Sequence, residues 1–359
     1  MLGSLIGGRE PARGAAREAA QERAPPGREA PATTIAQLLK RLKTDDQECR
    51  QKDKNGNCKL APDVIGHIVS AATGTLGRGS GEKERPAADP ADPAAVKKAA
   101  VALGCDGSVA CAARHPRVHA HVAAAAGPQA LARFRHAAEA VLKPPGPRHT
   151  TALLSNFDID GVLEQWAAEY ADFHNCPFAM MDFLTADAYC HLRHVRGHDL
   201  IEGRLEQTVF DETAAGLRRT VRRPSRTLGC VINTDVSTGP GKHWVCVFVD
   251  CRGDAAWTIE YFNSSGNPPP SPVVQWAGRL AAELDAARND PKKPPARLEA
   301  VSDVRHQKSN TECGVYSLYY IRSRLDGRPS SDFTNWVVPD DAMVEFRRHL
   351  FSSAGPGGR

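Results

Sequence analysis

The chain has 359 residues, 41% of them hydrophobic and 25% charged, with a formal net charge of +4. That length fits one large domain with an extension, or two domains, and the charge does not by itself mark a nucleic-acid binder. No apolar run can span a bilayer, and the first residues lack the basic leader of a secretory signal, so the ten cysteines read as free thiols in a reducing compartment.

Residues 1–31, rich in Ala, Arg, Gly, Pro and Glu, carry few large apolar side chains to offset the entropy of ordering, and a disordered arm is expected. Residues 32–150 read as a helical N-terminal extension. Ile35, Leu38, Leu39 and Leu42 form one apolar stripe and Val64, Ile65, Ile68 and Val69 another, with a turn between them flanked by Cys49 and Cys58. A linker covers 79–95. Ala-rich helices follow to about Leu142, broken near Cys105-Asp106-Gly107 and at Gly127-Pro128. Cys105 and Cys111 lie near three histidines at a spacing that fits no common zinc pattern, so no metal is expected. The break Lys143-Pro144-Pro145-Gly146-Pro147 sets the boundary of the main domain, taken as 151–351, with a disordered tail over 352–359.

In that domain Ile159, Val162, Leu163, Trp166 and Tyr170 recur at helical spacing after Asn156 and Asp158, either of which can cap. Cys190, His194 and His198 recur every four residues, and the interleaved Arg193 and Arg196 make that a solvated face rather than a metal site. Strands follow at 229–235, at 243–250, apolar on both faces and hence central, and at 257–262. A helix is expected over 272–287, a strand within 297–304, and a last helix over 340–351. The fold class is α+β, a central mixed sheet flanked by helices.

Four dispersed residues then fall into one arrangement. Val315, Leu318, Ile321 and Leu325 define a helix with Cys313 in its first turn and Asn310 or Thr311 as its cap. Free amides and the helix dipole there favour a thiolate, the form that acts as a nucleophile. A hairpin folded about Gly253 sets His243 opposite Asn263, whose carbonyl can accept Nδ1–H and leave Nε2 as the base. Gln307, six positions before the cysteine, can supply an amide N–H to an oxyanion. Taken singly, Cys313 reads as a buried small residue, His243 as a polar strand start and Gln307 as a loop residue facing water.

A His-Trp pair opening an apolar strand, an Asn ending the next, then Gln-x5-Cys-Gly resembles the pattern of adenain-like cysteine proteases. That family includes adenovirus protease, the SUMO-specific proteases and the maturation proteases of African swine fever virus and other large DNA viruses. Asn263 in place of Asp, Asn233-Thr234-Asp235 and Asp182-Phe183 are similar to the last branch. The resemblance covers about 154–351 and stops there. It implies Cys313 as nucleophile, His243 as base, Asn263 as orienting group and Gln307 in the oxyanion hole, with Trp244 walling a substrate channel. It further implies no cofactor, cleavage after Gly-Gly-type motifs, and processing of viral structural polyproteins at cytoplasmic assembly sites and in the virion. A SUMO- or ubiquitin-deconjugating isopeptidase and a non-catalytic binding module that kept the fold are the alternatives. A nucleic-acid or peptide activator has no support in the charge balance.

Overall fold

The computed structural model describes residues 49, 58–74, 93–144, 146–147, 151–186, 191–210 and 218–352. The expected arm, the stripe from Ile35 to Leu42, residues 79–92 of the linker, Cys190 and the tail beyond Ser352 lie outside them.

The N-terminal helices are α1 (Pro62–Thr73), α2 (Pro93–Ala102), α3 (Val109–Ala113) and α4 (Pro116–Val141). Proline starts α1 and α4, where its missing N–H costs nothing, and Gly74 ends α1 in the left-handed conformation. The expected break at Gly127-Pro128 is a kink inside α4. These helices bury Val64, Ile68, Val118, Val122 and Phe134 in a cluster of their own. Two disulfides, Cys49–Cys58 and Cys105–Cys111, staple it. The expectation of free thiols throughout is corrected here: Cys176, Cys230, Cys246, Cys251 and Cys313 are the free cysteines among the described residues. Arg114 ties this unit to the C-terminal end, donating to Ser352 Oγ at 2.7 Å and to the Lys143 carbonyl at 2.7 Å.

The main domain opens with α5 (Asn156–Glu169), where Ser155 and Asp158 form a reciprocal capping box, so Ser155 is the cap rather than Asn156 or Asp158. Strands β1 (Phe173–Asn175) and β2 (Ala179–Met180) follow. Next come two short helices, α6 (His191–His194) and α7 (Gly197–Glu202), in place of one continuous histidine-bearing helix. Strands β3 (Glu206–Phe210) and β4 (Arg218–Arg222) pair as a separate antiparallel ribbon.

The main sheet is built from β5 (Thr227–Asn233), β6 (Trp244–Asp250), β7 (Thr258–Phe262) and β8 (Arg297–Val301), with β1 and β2 on the β5 side. Its order is β1-β5-β6-β7-β8. The pairs β5–β6 and β6–β7 are antiparallel; β1–β5, β2–β5 and β7–β8 are parallel. The sheet is mixed and β6 is central, as its two apolar faces require. Side chains alternate along it: Trp244, Cys246 and Phe248 join one cluster, Val245, Val247 and Val249 the other. On the first face lie α5, α9 (Cys313–Leu325), α10 (Ser331–Asn335) and α11 (Asp340–Leu350); on the second, α8 (Ser271–Arg288) contributes Val273, Trp276, Leu280 and Leu284.

Helix α9 is buried on nearly every side, Val315, Tyr316, Leu318, Tyr320 and Ile321 all being inaccessible to solvent. Gly229 lets it approach β5, since a Cβ there would meet Ile321 at 3.2 Å and Phe173 at 3.0 Å. At its far end Arg324 makes a two-pronged pair with the buried Glu260 (2.7 and 2.8 Å), which Tyr320 also satisfies at 2.7 Å.

Candidate active site

Cys313 is the first residue of α9 and is buried. The residue flanking the helix start is Glu312, in a conformation without a side-chain cap, so neither Asn310 nor Thr311 caps it. Glu312 is itself buried, with its carboxylate 3.3 Å from the guanidinium of Arg347 on α11 and accepting from Thr311 at 3.0 Å. Burial pushes the Cys313 thiol above its ordinary range. Backbone N–H groups of Trp244, Gly314 and Cys313 pull it down, and the Glu312 charge pushes it up again. The expected easier ionisation at a helix start is therefore outweighed by desolvation.

The N–H of Trp244 at the thiol places the start of β6 there, and with it His243, half-buried and one residue earlier. Trp244 holds this contact from its other side. Its indole donates to the Leu154 carbonyl (3.1 Å), its ring meets Phe178 edge-on at 6.2 Å, and it lies within 3.3 Å of where a Cβ on Gly314 would stand.

His243 and Asn263 meet: Nε2 lies 2.9 Å from Asn263 Oδ1. The ladder differs from the one the sequence suggested. Cys246 pairs with Phe262, so continuing the register sets Ser265, not Asn263, opposite His243. A shift of two keeps every side chain on its face, and Asn263 reaches the ring diagonally. Ser265 Oγ also lies 3.2 Å from Nε2. The Asn263 amide is oriented by Nδ2 donating to Tyr261 Oη (3.2 Å) and to the Asn267 carbonyl (3.4 Å), while Oδ1 also accepts from Ser265 N–H (2.9 Å). Asn263 Oδ1 is thus an acceptor, the imidazole carries its proton on Nε2, and Nδ1 is the nitrogen left for a thiol. The expected roles of the two ring nitrogens are reversed.

Gln307 is buried rather than facing water. Ser264 donates to its Oε1 at 2.8 Å and its Nε2 donates to the Ser309 carbonyl at 2.9 Å, leaving one amide hydrogen uncommitted. Its backbone N–H returns to the Ser264 carbonyl at 3.0 Å. Residues 263–267, just after β7, therefore hold the imidazole with one side chain and the Gln307 amide with the next. Sequence reasoning assigned Ser264, Ser265 and Gly266 no role, since the periodicity of strands and helices gives such a loop no signal. The carboxylates near the hairpin turn are engaged elsewhere: Asp250 with Arg252 and Arg324, Asp254 with Lys293.

Among the described residues no group of three or more His, Cys, Asp or Glu side chains is placed to hold a metal ion, and no helix is long and apolar enough to cross a membrane. A buried thiol, an oriented imidazole and an anchored amide can together carry out acyl transfer through a covalent intermediate.

Comparison with known proteins identifies the family. Residues 225–354 match the Ulp1 protease family, C-terminal catalytic domain. A cysteine protease of African swine fever virus (a Malawi tick isolate) is 44% identical over 252 residues, covering 70% of this chain and 85% of that one. A protein named SUMO-1 cysteine protease, from a Kenyan pig isolate of the same virus, matches at 44% with the same coverage. The crystal structure of the African swine fever virus protease superposes with a TM-score of 0.66 at 36% identity, covering 86% of this chain and 97% of that one. The chain belongs to the Ulp1 protease family and is a viral cysteine protease of the SUMO-protease-like kind.

Proposed function

We propose that Cys313 is the nucleophile of a peptidase cutting after Gly-Gly-type motifs, with His243 as base, Asn263 as its orienting group and Gln307 in the oxyanion hole. The observation that carries this reading is the 2.9 Å bond between His243 and Asn263 beside a strand start whose N–H reaches the Cys313 sulfur. Burial keeps the resting thiol protonated. His243 Nδ1 takes that proton as sulfur attacks the scissile carbonyl, and returns it to the leaving amine; water then releases the acyl group from sulfur. The free hydrogen of Gln307 Nε2 and the backbone N–H of Cys313 stabilise the developing oxyanion, each such donor being worth about 10²–10³ in rate. Trp244, fixed by Leu154 and Phe178, walls the channel, and only glycine lets a substrate backbone pass so close to its sides.

Polyprotein processing during virion assembly, in host cytoplasm and virion, fits the viral relatives, with residues 151–351 as the protease domain and 32–150 as its extension. A mass-spectrometric cleavage-site screen against viral structural polyproteins, with wild type and Cys313→Ala side by side, tests it. Cuts after Gly-Gly-type sequences present only with the wild type are expected; identical patterns from both proteins refute it. A second reading, removal of a ubiquitin-like modifier, is favoured by the name SUMO-1 cysteine protease carried by a relative. Faster cleavage of a SUMO fusion than of a matched Gly-Gly peptide would select it.

A further inference from the structure

The Gln307 amide is held from two directions. Ser264 takes its oxygen from the segment after β7, and on the other side Nε2 donates to the Ser309 carbonyl at 2.9 Å. That carbonyl lies in a loop, and a loop fixes an amide only as firmly as the loop itself is fixed.

The chain entering α11 does the fixing. Asp340 Oδ2 accepts from the Ser309 N–H at 2.8 Å and from the Lys308 N–H at 3.1 Å. Two positions earlier, the Val338 N–H donates to Nδ1 of the buried His306 at 3.1 Å. Burial lowers His306 to about 4, so at neutral pH the ring stays neutral and this nitrogen stays an acceptor. Residues on both sides of Gln307 are thus pinned by Val338 and Asp340. The second oxygen of Asp340, Oδ1, stands 3.0 Å from Tyr316 Oη, which also reaches the Val338 carbonyl at 2.9 Å. Tyr316 lies one turn beyond Cys313 on α9, and α11 packs on that helix with Phe346 edge-on to Tyr319 at 5.2 Å. One carboxylate therefore joins the helix that carries the cysteine to the loop that carries the amide.

We propose that Asp340 is a positioning residue for the oxyanion hole: by holding the Ser309 peptide it sets where the uncommitted hydrogen of Gln307 Nε2 points. The inference rests on the reading of Gln307 given above. Steady-state kinetics of the full chain, on a peptide that the wild type cuts in the cleavage-site screen, test it. Asp340→Ala should lower kcat about tenfold with KM within about twofold, since a donor needed in the transition state is misdirected and binding is untouched. In Asp340→Asn the side-chain oxygen still accepts both N–H groups and the nitrogen faces Tyr316 Oη, so kcat should stay within about threefold of wild type. Added to Gln307→Ala, Asp340→Ala should cost less than about twofold, because the amide it positions is gone. An anchor that only stabilises the fold would cost the same factor in both backgrounds, so additive losses overturn the proposal. Unchanged kcat in Asp340→Ala, or Asn as damaging as Ala, overturns it as well. If Asp340→Ala fails to fold, Asp340→Ser, whose oxygen stands one bond nearer the backbone and falls short of the two N–H groups, runs the same cycle. Wild-type turnover in Gln307→Ala ends the reading of Gln307 and this proposal with it; a loss in Gln307→Ala that does not couple to Asp340 leaves that reading standing and sinks only the proposal.

Discussion

At the scale of single residues, the side chains that matter most are those that hold the reacting groups. Ser264 anchors Gln307 through one hydroxyl bond of 2.8 Å. In Ser264→Ala the amide is free to turn, and kcat should fall about tenfold with KM little changed, less than the 10²–10³ expected for Gln307→Ala; steady-state kinetics on one peptide substrate checks both. Glu312 pushes the thiol up and is held by Arg347. Glu312→Gln removes that negative charge and leaves the guanidinium beside the sulfur, and both changes favour the thiolate. The rate of Cys313 alkylation should therefore rise at a lower pH than in the wild type; an unshifted profile would show that Glu312 has no hold on the thiol. The meeting of His243 with Asn263 was legible in the sequence, as was the choice of Cys313 and Gln307 as their proposed partners, because an ordered pattern of residue types survives without coordinates. Ser264 and Glu312 were not, because their partners, 43 and 35 positions away along the chain, meet them only after folding.

At the scale of elements, the segment after β7 acts as a clamp. Gly266 sits at φ 79°, and a Cβ there would stand 3.1 Å from the backbone of Val304. Gly266→Ala is strained on both counts. It should shift Ser264 and Ser265 together and cost activity by tenfold or more, with β6–β7 pairing intact; peptide hydrolysis read beside far-UV circular dichroism separates the two. The strands themselves were readable: 243–250 is apolar at every other position on both faces and proves central. Register was not, because turn length is invisible in periodicity, and the hairpin pairs two residues away from the symmetric estimate about Gly253. The β3–β4 ribbon went unread, since its strands mix arginine, threonine and glutamate without alternation. The four-residue spacing of Cys190, His194 and His198 does not hold on one helix: α6 ends at His194, and Gly197 begins α7 against α8, where a Cβ would lie 2.7 Å from the Leu284 nitrogen.

At the scale of the whole molecule, stability carries a signature in pH. Asp160, largely buried and accepting from the Phe178 N–H at 2.9 Å, is raised from 3.8 to about 7, first by burial and then by the nearby Glu164 charge. The folded protein binds this proton more tightly than the unfolded chain does. Its contribution is full below 3.8 and is lost as pH climbs to about 7. Asp160→Asn keeps the acceptor and cannot ionise, so its melting temperature should gain on the wild type by a few degrees between those values and stay ahead above them; parallel curves would place Asp160 in water. The α+β class and the mixed sheet were open to sequence reasoning, whereas the two N-terminal disulfides were not, since pairing depends on distances that spacing does not encode.

Cys313, the proposed nucleophile, rides on the tip of the helix around which the interior of the main domain is assembled. An enzyme so made has no spare scaffold: whatever loosens its centre disarms it at once. In a urea series, loss of turnover and loss of tyrosine and tryptophan fluorescence should trace one curve, so that a substrate assay doubles as a gauge of how much protein is still native.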